Sequence, residues 1–170
     1  MQLGSVRIRD AVDGDMPAVR DLYNALIPTT TVAWTETPQT LRERRAWFGR
    51  QQRAGFPVLV ADAGGAVAGF AAYGSFRGSG KWTGYRHTVE HTIHVAESCW
   101  GTGLGRSLLE ALIERARAAG VHVMVAAVDG ANAGSIAFHQ RLGFTTVARM
   151  PEVGRKFDRW LDLVLMQRIL

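Results

Sequence analysis

Residues 88–128 impose the tightest constraint on the fold. "TVEHTIHV" (88–95) is β-branched and alternating, and "WGTGLGRS" (100–107) is glycine-rich. Leu108, Leu109, Leu112, Ile113 and Ala116 then recur at helical spacing, and "HVMVAAV" (122–128) is a continuous apolar run. Strand, tight turn, amphipathic helix and buried strand make a β-α-β crossover, which sets two parallel strands in one sheet. A chain with this unit is committed to a layered α/β architecture.

The remaining segments add hairpins. "VRIRDA" (6–11) alternates as a first strand. In "DGDMPAVRDLYNALI" (13–27), Asp13 or Asp15 offers a cap and Met16, Val19, Leu22, Tyr23 and Leu26 share one face. A polar, proline-flanked loop follows, then a helix from about Thr40 to Ala54 that stops at Gly55. "PVLVAD" and "AVAGFAAYGSF" flank Gly64-Gly65, a hairpin signal, and "RGSGKWTG" (77–84) is a loop. After the crossover come a capped helix, "NAGSIAFHQRL", and two strands, "FTTVARM" and "RWLDLVLMQRI". The order β-α-α-β-β-β-α-β-α-β-β predicts an α/β (α+β-like) fold with one mixed, mostly antiparallel sheet, in a single domain spanning 1–170.

His87-Thr88-Val89-Glu90-His91 also fits H-x-x-E-H, a zinc pattern that requires a helix. Thr88, Val89, Thr92, Ile93 and Val95 favour a strand instead. On a strand the two histidines stand about 13 Å apart at ~3.3 Å per residue. One zinc, with ligand bonds of about 2 Å, cannot bridge that span. No metal ligand is therefore assigned. Glu90 then lies among apolar strand residues, where a carboxylate is costly unless solvated, paired or lining a cleft.

Gly101, Gly103 and Gly105 open the long helix, as in loops whose backbone N–H groups approach phosphate oxygens. The loop lacks the Lys-Ser/Thr pair of a P-loop. Its third glycine comes one residue too early, and too deep in the chain, for the dinucleotide fingerprint. Net charge is +5 with the positives scattered, which suits an anionic small ligand and lacks the clustered, aromatic-interleaved pattern of a nucleic-acid binder. The single cysteine, Cys99, excludes an intrachain disulfide. With no apolar leader and no membrane-length run, we expect a cytoplasmic protein that contacts neither membrane nor nucleic acid.

Taken in order, "GTGLG", "HVMVAAV" and "NAGSIAFHQRLGF" resemble the GNAT N-acetyltransferase superfamily. "TVEHTIHV", "HVMVAAVDGANAGSIAFHQRLGF" and "VGRKFDRWLDLVLMQ" resemble more narrowly the phosphinothricin and methionine sulfone/sulfoximine acetyltransferases, and the resemblance covers nearly the whole chain. It implies acetyl-CoA as acyl donor, a small amino-acid-like acceptor and a homodimer through the C-terminal strands. It implies that the backbone of Ile93, His94 and Val95 holds the pantetheine arm. It places the pyrophosphate on Gly101, Thr102, Gly103, Leu104, Gly105 and Arg106, with Asn132 as a further cofactor contact. Glu90 becomes the general base and His139 a candidate acid. His91, Thr92, Arg77 and Trp82, with Glu90, would line the acceptor site. Arg77 would clamp a carboxylate, against the plainer reading of a solvated loop arginine.

Three positions depart from the pattern. Trp100 stands where the family carries Arg or Gln. His139 replaces the superfamily's frequent Tyr but agrees with the narrower group. Residues 76–87 form a longer segment than in relatives. Two other functions compete with the small-molecule enzyme: a protein N-terminal acetyltransferase, which needs an open groove, and a non-catalytic acyl-CoA sensor, which has no use for Glu90.

Overall fold

A computed structural model describes residues 6–78 and 81–170. Positions 79 and 80 of the loop expected at 77–84, and the first five residues of the expected leaderless N-terminus, lie outside the described residues. The elements are β1 (Val6–Asp10), α1 (Met16–Leu26), α2 (Leu41–Arg53), β2 (Val58–Ala63), β3 (Ala66–Ser75), β4 (Thr88–Val95), α3 (Leu104–Ala118), β5 (Val123–Asp129), α4 (Ala133–Arg141), β6 (Thr145–Lys156) and β7 (Arg159–Ile169). They form a seven-stranded sheet of order β1-β2-β3-β4-β5-β7-β6. The pairs β1–β2, β2–β3, β5–β7 and β6–β7 are antiparallel and β4–β5 is parallel. The mixed, mostly antiparallel sheet read from the sequence is the sheet observed.

The chain clusters into two compact units. The first comprises Met1–Ala25, Gln39–Gly74 and Thr92–Arg115. Its core gathers Met16 and Val19 of α1, Phe48 of α2, and Val58, Val60, Phe70 and Ala72 of the β2–β3 hairpin. Thr40 caps α2 with its hydroxyl on the Glu43 N–H, and the Glu43 carboxylate returns to the Thr40 N–H at 2.8 Å, a reciprocal capping box. Asp15 does not cap α1 in this way. Its carboxylate accepts from the Val12 N–H at 2.8 Å and holds the Arg9 guanidinium at 2.7 and 2.9 Å, closing a 3₁₀ turn ahead of the helix. On α3, Leu108, Leu109 and Leu112 are fully buried, each contributing about 2 kcal/mol of apolar burial.

The second unit comprises Leu26–Pro38, Ser75–His91 and Ala116–Leu170. Val89, Met124, Val128, Phe144, Leu161, Val164 and Met166 are among its buried apolar side chains. Here β6 runs to Lys156 rather than ending near Met150. Pro151 and Gly154 look like strand breakers in the sequence. Pro151 instead falls in a register shift between Met150 and Gly154, where no ladder bond is lost, on a strand at the edge of the sheet. Nearly every residue of β6 is exposed.

Candidate active site

Glu90, His91, Thr92 and His94 stand on β4, the glycine turn follows it, and after β5 Asn132 caps α4, which carries His139. The parallel ladder between β4 and β5 pairs Thr88, Val89 and Glu90 with Val123, Met124 and Val125, and it ends there. Beyond that point β5 continues against β7 as far as Asp129 opposite Leu163.

Within the second unit, Glu90 reaches solvent from the last paired position of the ladder. Among the described residues it makes no ion pair. The protein around it nevertheless pushes its carboxyl above the usual carboxylate range. Of the settings open to an acid on this strand (solvated, paired or lining a cleft), exposure without an ion pair leaves the first and the last.

His91, the next residue, is buried, with its ring 5.1 Å from that of His139 and 5.5 Å from Phe144. His139 is 3% exposed and donates from Nδ1 to the Ser135 carbonyl at 2.7 Å. That bond leaves Nε2 as the lone-pair nitrogen, buried and, among the described residues, with no hydrogen-bond partner. Burial lowers the His139 pKa, only partly opposed by the Ser135 bond, so the ring is held neutral. Asn132 opens α4, and its side-chain oxygen accepts from the Ser135 N–H at 3.0 Å.

His87 lies outside this cluster, with Nδ1 3.0 Å from the Gly120 carbonyl. The helix that H-x-x-E-H requires does not form. Among the described residues, no three His, Cys, Asp or Glu side chains are gathered to hold a metal.

Arg77 and Trp82 are exposed. Arg77 stacks over the Tyr85 ring at 5.8 Å, and Trp82 lies 5.4 Å from the Lys81 ammonium. Among the described residues, no hydrogen bond or ring contact joins either of them to Glu90 or Asn132.

Within the first unit, Thr92 bonds its hydroxyl to His94 Nε2 at 3.0 Å. His94 is buried between the rings of Tyr23 (5.3 Å) and Phe70 (5.0 Å). Burial, and then the Arg44 charge, lower its pKa to about 4.

The glycine turn follows. Gly101 (φ 74°) and Gly103 (φ 89°) occupy the left-handed region, and a Cβ on either would meet nothing within 4 Å. The Thr102 hydroxyl donates to the Cys99 carbonyl at 2.7 Å, tightening the turn from inside. Leu104 starts α3; its N–H donates to the Thr102 hydroxyl at 3.4 Å and the Ser107 N–H to the Gly103 carbonyl at 3.1 Å, so helix geometry leaves the Gly105 and Arg106 amides without an intrahelical acceptor. Arg106 is paired along the helix with Glu110 at 2.8 Å. Trp100 is 54% exposed and donates its indole N–H to the Val95 carbonyl at 2.9 Å. Open space, left-handed glycines and unspent amides suit a phosphate-bearing cofactor.

Two groups of residues escaped the sequence reading. Arg44 is one of three arginines in the run Arg42-Glu43-Arg44-Arg45. It is 4% exposed, with its guanidinium over Tyr23 (4.7 Å), Trp47 (4.8 Å) and Phe70 (5.6 Å). Its one sequence signal was the aromatic Trp47 three residues on. Lys156 and Asp129, both buried, carried no signal beyond being charges beside apolar strand residues.

Residues 19–144 match the acetyltransferase (GNAT) family. An L-methionine sulfoximine/L-methionine sulfone acetyltransferase of Pseudomonas aeruginosa is 52% identical over 164 residues, covering 96% of this chain and 94% of that one. A phosphinothricin N-acetyltransferase of Alcaligenes faecalis is 35% identical, covering 96% of this chain and 82% of its own length. Among solved structures, an acetyltransferase from Salmonella typhimurium with its cofactor acetyl-CoA superposes with a TM-score of 0.93 at 43% identity, over 98% of this chain and 95% of that one.

Proposed function

The chain belongs to the acetyltransferase (GNAT) family and is an acetyl-CoA-dependent N-acetyltransferase. On that premise we propose that it acetylates the α-amine of a small amino-acid-like acceptor of the methionine sulfone, methionine sulfoximine or phosphinothricin class, with Glu90 as general base. The names of the relatives, at 52% and 35% identity over nearly the whole chain, support that acceptor class. Their coverage also supports treating residues 1–170 as one functional domain.

Acetyl-CoA supplies a thioester-activated acetyl group. The protein's part is to bind, orient and manage a proton. Gly101, Thr102, Gly103, Leu104, Gly105 and Arg106 would hold the pyrophosphate through backbone N–H groups and the positive end of α3. The backbone of Ile93, His94 and Val95 would hold the pantetheine arm. Asn132, whose oxygen already caps α4, would offer its NH₂.

An α-amine at neutral pH is mostly ammonium and must lose a proton before it can attack. The observation that carries the reading is Glu90: solvent-reaching, without an ion pair, and more basic than an ordinary carboxylate. A raised carboxyl pKa makes it a better proton acceptor, directly or through water. His91 and Thr92 would border the acceptor. Arg77 and Trp82 join them as contacts from the 76–87 segment. His139 could donate a proton only from a charged form that its burial disfavours, and thiolate departs readily, so its share is minor.

A homodimer through the C-terminal strands belongs to the same proposal. Val147, Met150, Val153 and Trp160 are 44–60% exposed on β6 and β7, with β6 at the sheet edge, a surface that favours a partner. A cytoplasmic location accords with the single, buried Cys99.

The test is an acceptor screen with acetyl-CoA, read as free thiol. Turnover on methionine sulfone or phosphinothricin that collapses in Glu90→Gln is expected. Turnover confined to peptide N-termini would replace this acceptor class with the protein-directed one.

A further inference from the structure

We propose that Lys156 is a positioning residue for the cofactor contact Asn132, holding the loop 27–34 against the turn that carries it; this rests on the acetyltransferase reading above. Lys156 ends β6 and is 2% exposed. Its ammonium donates to the carbonyls of Ile27, Thr30 and Ala33, each at 2.7 Å, so all three N–H groups are used. Those carbonyls belong to a segment with no regular structure of its own, whose backbone acceptors would otherwise need water.

The same segment is held at two further points on the β6–β7 hairpin. The Trp34 ring lies against Gly154, where any Cβ would collide with it. The Glu36 carboxylate accepts from the Phe157 N–H at 3.1 Å.

On its other side the loop reaches the end of β5. The Thr31 hydroxyl donates to the Asp129 carboxylate. That carboxylate also accepts from the Ala131 N–H at 3.0 Å, and the Asp129 carbonyl accepts from the Asn132 N–H at 2.9 Å. Lys156 is thus connected, through one loop, to the turn that carries Asn132. β5 is the strand that loses its parallel neighbour at Val125 and runs on to Asp129. The carboxyl end of a parallel strand, where neighbouring strands part, is where sheets of this kind take their ligands.

The choice of residue carries the argument further. A buried ammonium costs desolvation that an apolar side chain of equal volume avoids, so stability alone is served as well without it. Three charge-assisted bonds converging on one loop fix geometry instead.

The experiment measures both Michaelis constants in the full chain with methionine sulfone or phosphinothricin. Lys156→Met keeps the stem and removes the donors, and Thr31→Val removes only the link to Asp129. In both, the acetyl-CoA KM should rise about tenfold or more, because small misplacements of a binding group are costly. The acceptor KM should stay within about twofold of wild type, a split that general loosening of the fold does not give. If Lys156→Met does not fold, Thr31→Val decides. Wild-type turnover with an unchanged acetyl-CoA KM, or equal rises in both constants, overturns the positioning role alone. No wild-type turnover on either acceptor overturns the acceptor assignment, and acetyl-CoA affinity by calorimetry, undiminished in both variants, then overturns this role separately.

Discussion

The indole N–H of Trp100 is bonded to the carbonyl of Val95 at 2.9 Å, joining the first residue before the glycine turn to the last residue of β4. The ring is therefore fixed against the strand end, and its one polar hydrogen is spent on that carbonyl. Trp100→Arg should release the Val95 carbonyl and place a cation near the turn. The acetyl-CoA KM should fall by about two- to fivefold at low salt, the worth of one exposed charge pair. In 0.5 M salt, where the Debye length is only about 4 Å, the gain should vanish. A KM that rises in the variant would mean that the indole itself contributes to cofactor binding.

Gly103→Val tests the cradle. A β-branched residue at φ 89° is strained, and its side chain would fill the space in front of the α3 amides. Calorimetry should show acetyl-CoA affinity reduced by about tenfold or more, the cost of a displaced phosphate contact. Undiminished affinity would put the pyrophosphate elsewhere.

Glu90→Gln should lower kcat by about 10²–10⁴, the range for losing a general base. Because burial raises the Glu90 pKa, the wild-type acidic limb should lie above the ordinary carboxylate value and flatten in the variant. The stability effect runs the other way. A carboxyl whose folded pKa is raised favours folding at low pH and loses that contribution as pH rises through the folded pKa. At neutral pH the glutamine variant should therefore melt no lower than wild type. A large drop in melting temperature would make Glu90 a structural acid.

His94 predicts how the fold responds to acid. Its folded pKa, about 4, lies below the ordinary 6.5, so the unfolded chain binds the proton first. Stability is intact above pH 6.5 and should erode from there down to about pH 4, by about 3 kcal/mol over the window. Replacing His94 with the nontitrating Asn should flatten that part of the profile of melting temperature against pH. An unchanged slope would assign the acid sensitivity to other groups.

The β6 edge predicts assembly. Met150→Lys with Val153→Lys puts two charges on the exposed strand without touching a buried side chain. If this face holds the dimer, sedimentation should report monomers for the double variant and dimers for wild type. Monomeric wild-type protein at micromolar concentration would remove the dimer from the proposal.

Local patterns carried most of the fold. Alternation in "VRIRD", the stripe from Leu108 to Ala116 and the Gly64-Gly65 turn each express a preference satisfied by neighbours in sequence. The end of β6 did not follow the same logic. Pro151 breaks a strand only where its missing N–H is needed, and that depends on the register against β7. The site divided in the same way. Glu90 and the glycine turn announce themselves by an acid among β-branched residues and by glycine spacing. The roles of Arg44 and Lys156 depend on partners tens of residues away: Phe70 for the first, and the Ile27, Thr30 and Ala33 carbonyls for the second. No spacing rule reaches that far.

Cys99, the chain's one cysteine, is 5% exposed, and its carbonyl accepts the Thr102 hydroxyl at the base of the glycine turn. The protein thus contains a chemical clock. A thiol reagent can reach Cys99 only when this corner of the structure opens, so the rate of alkylation counts openings. Acetyl-CoA seated on the turn should slow that clock in proportion to its occupancy, giving a cofactor affinity without catalysis and without an acceptor. Because the thiol is otherwise silent, a second cysteine engineered on the β6 surface could carry a fluorophore alone and report on assembly in the same preparation.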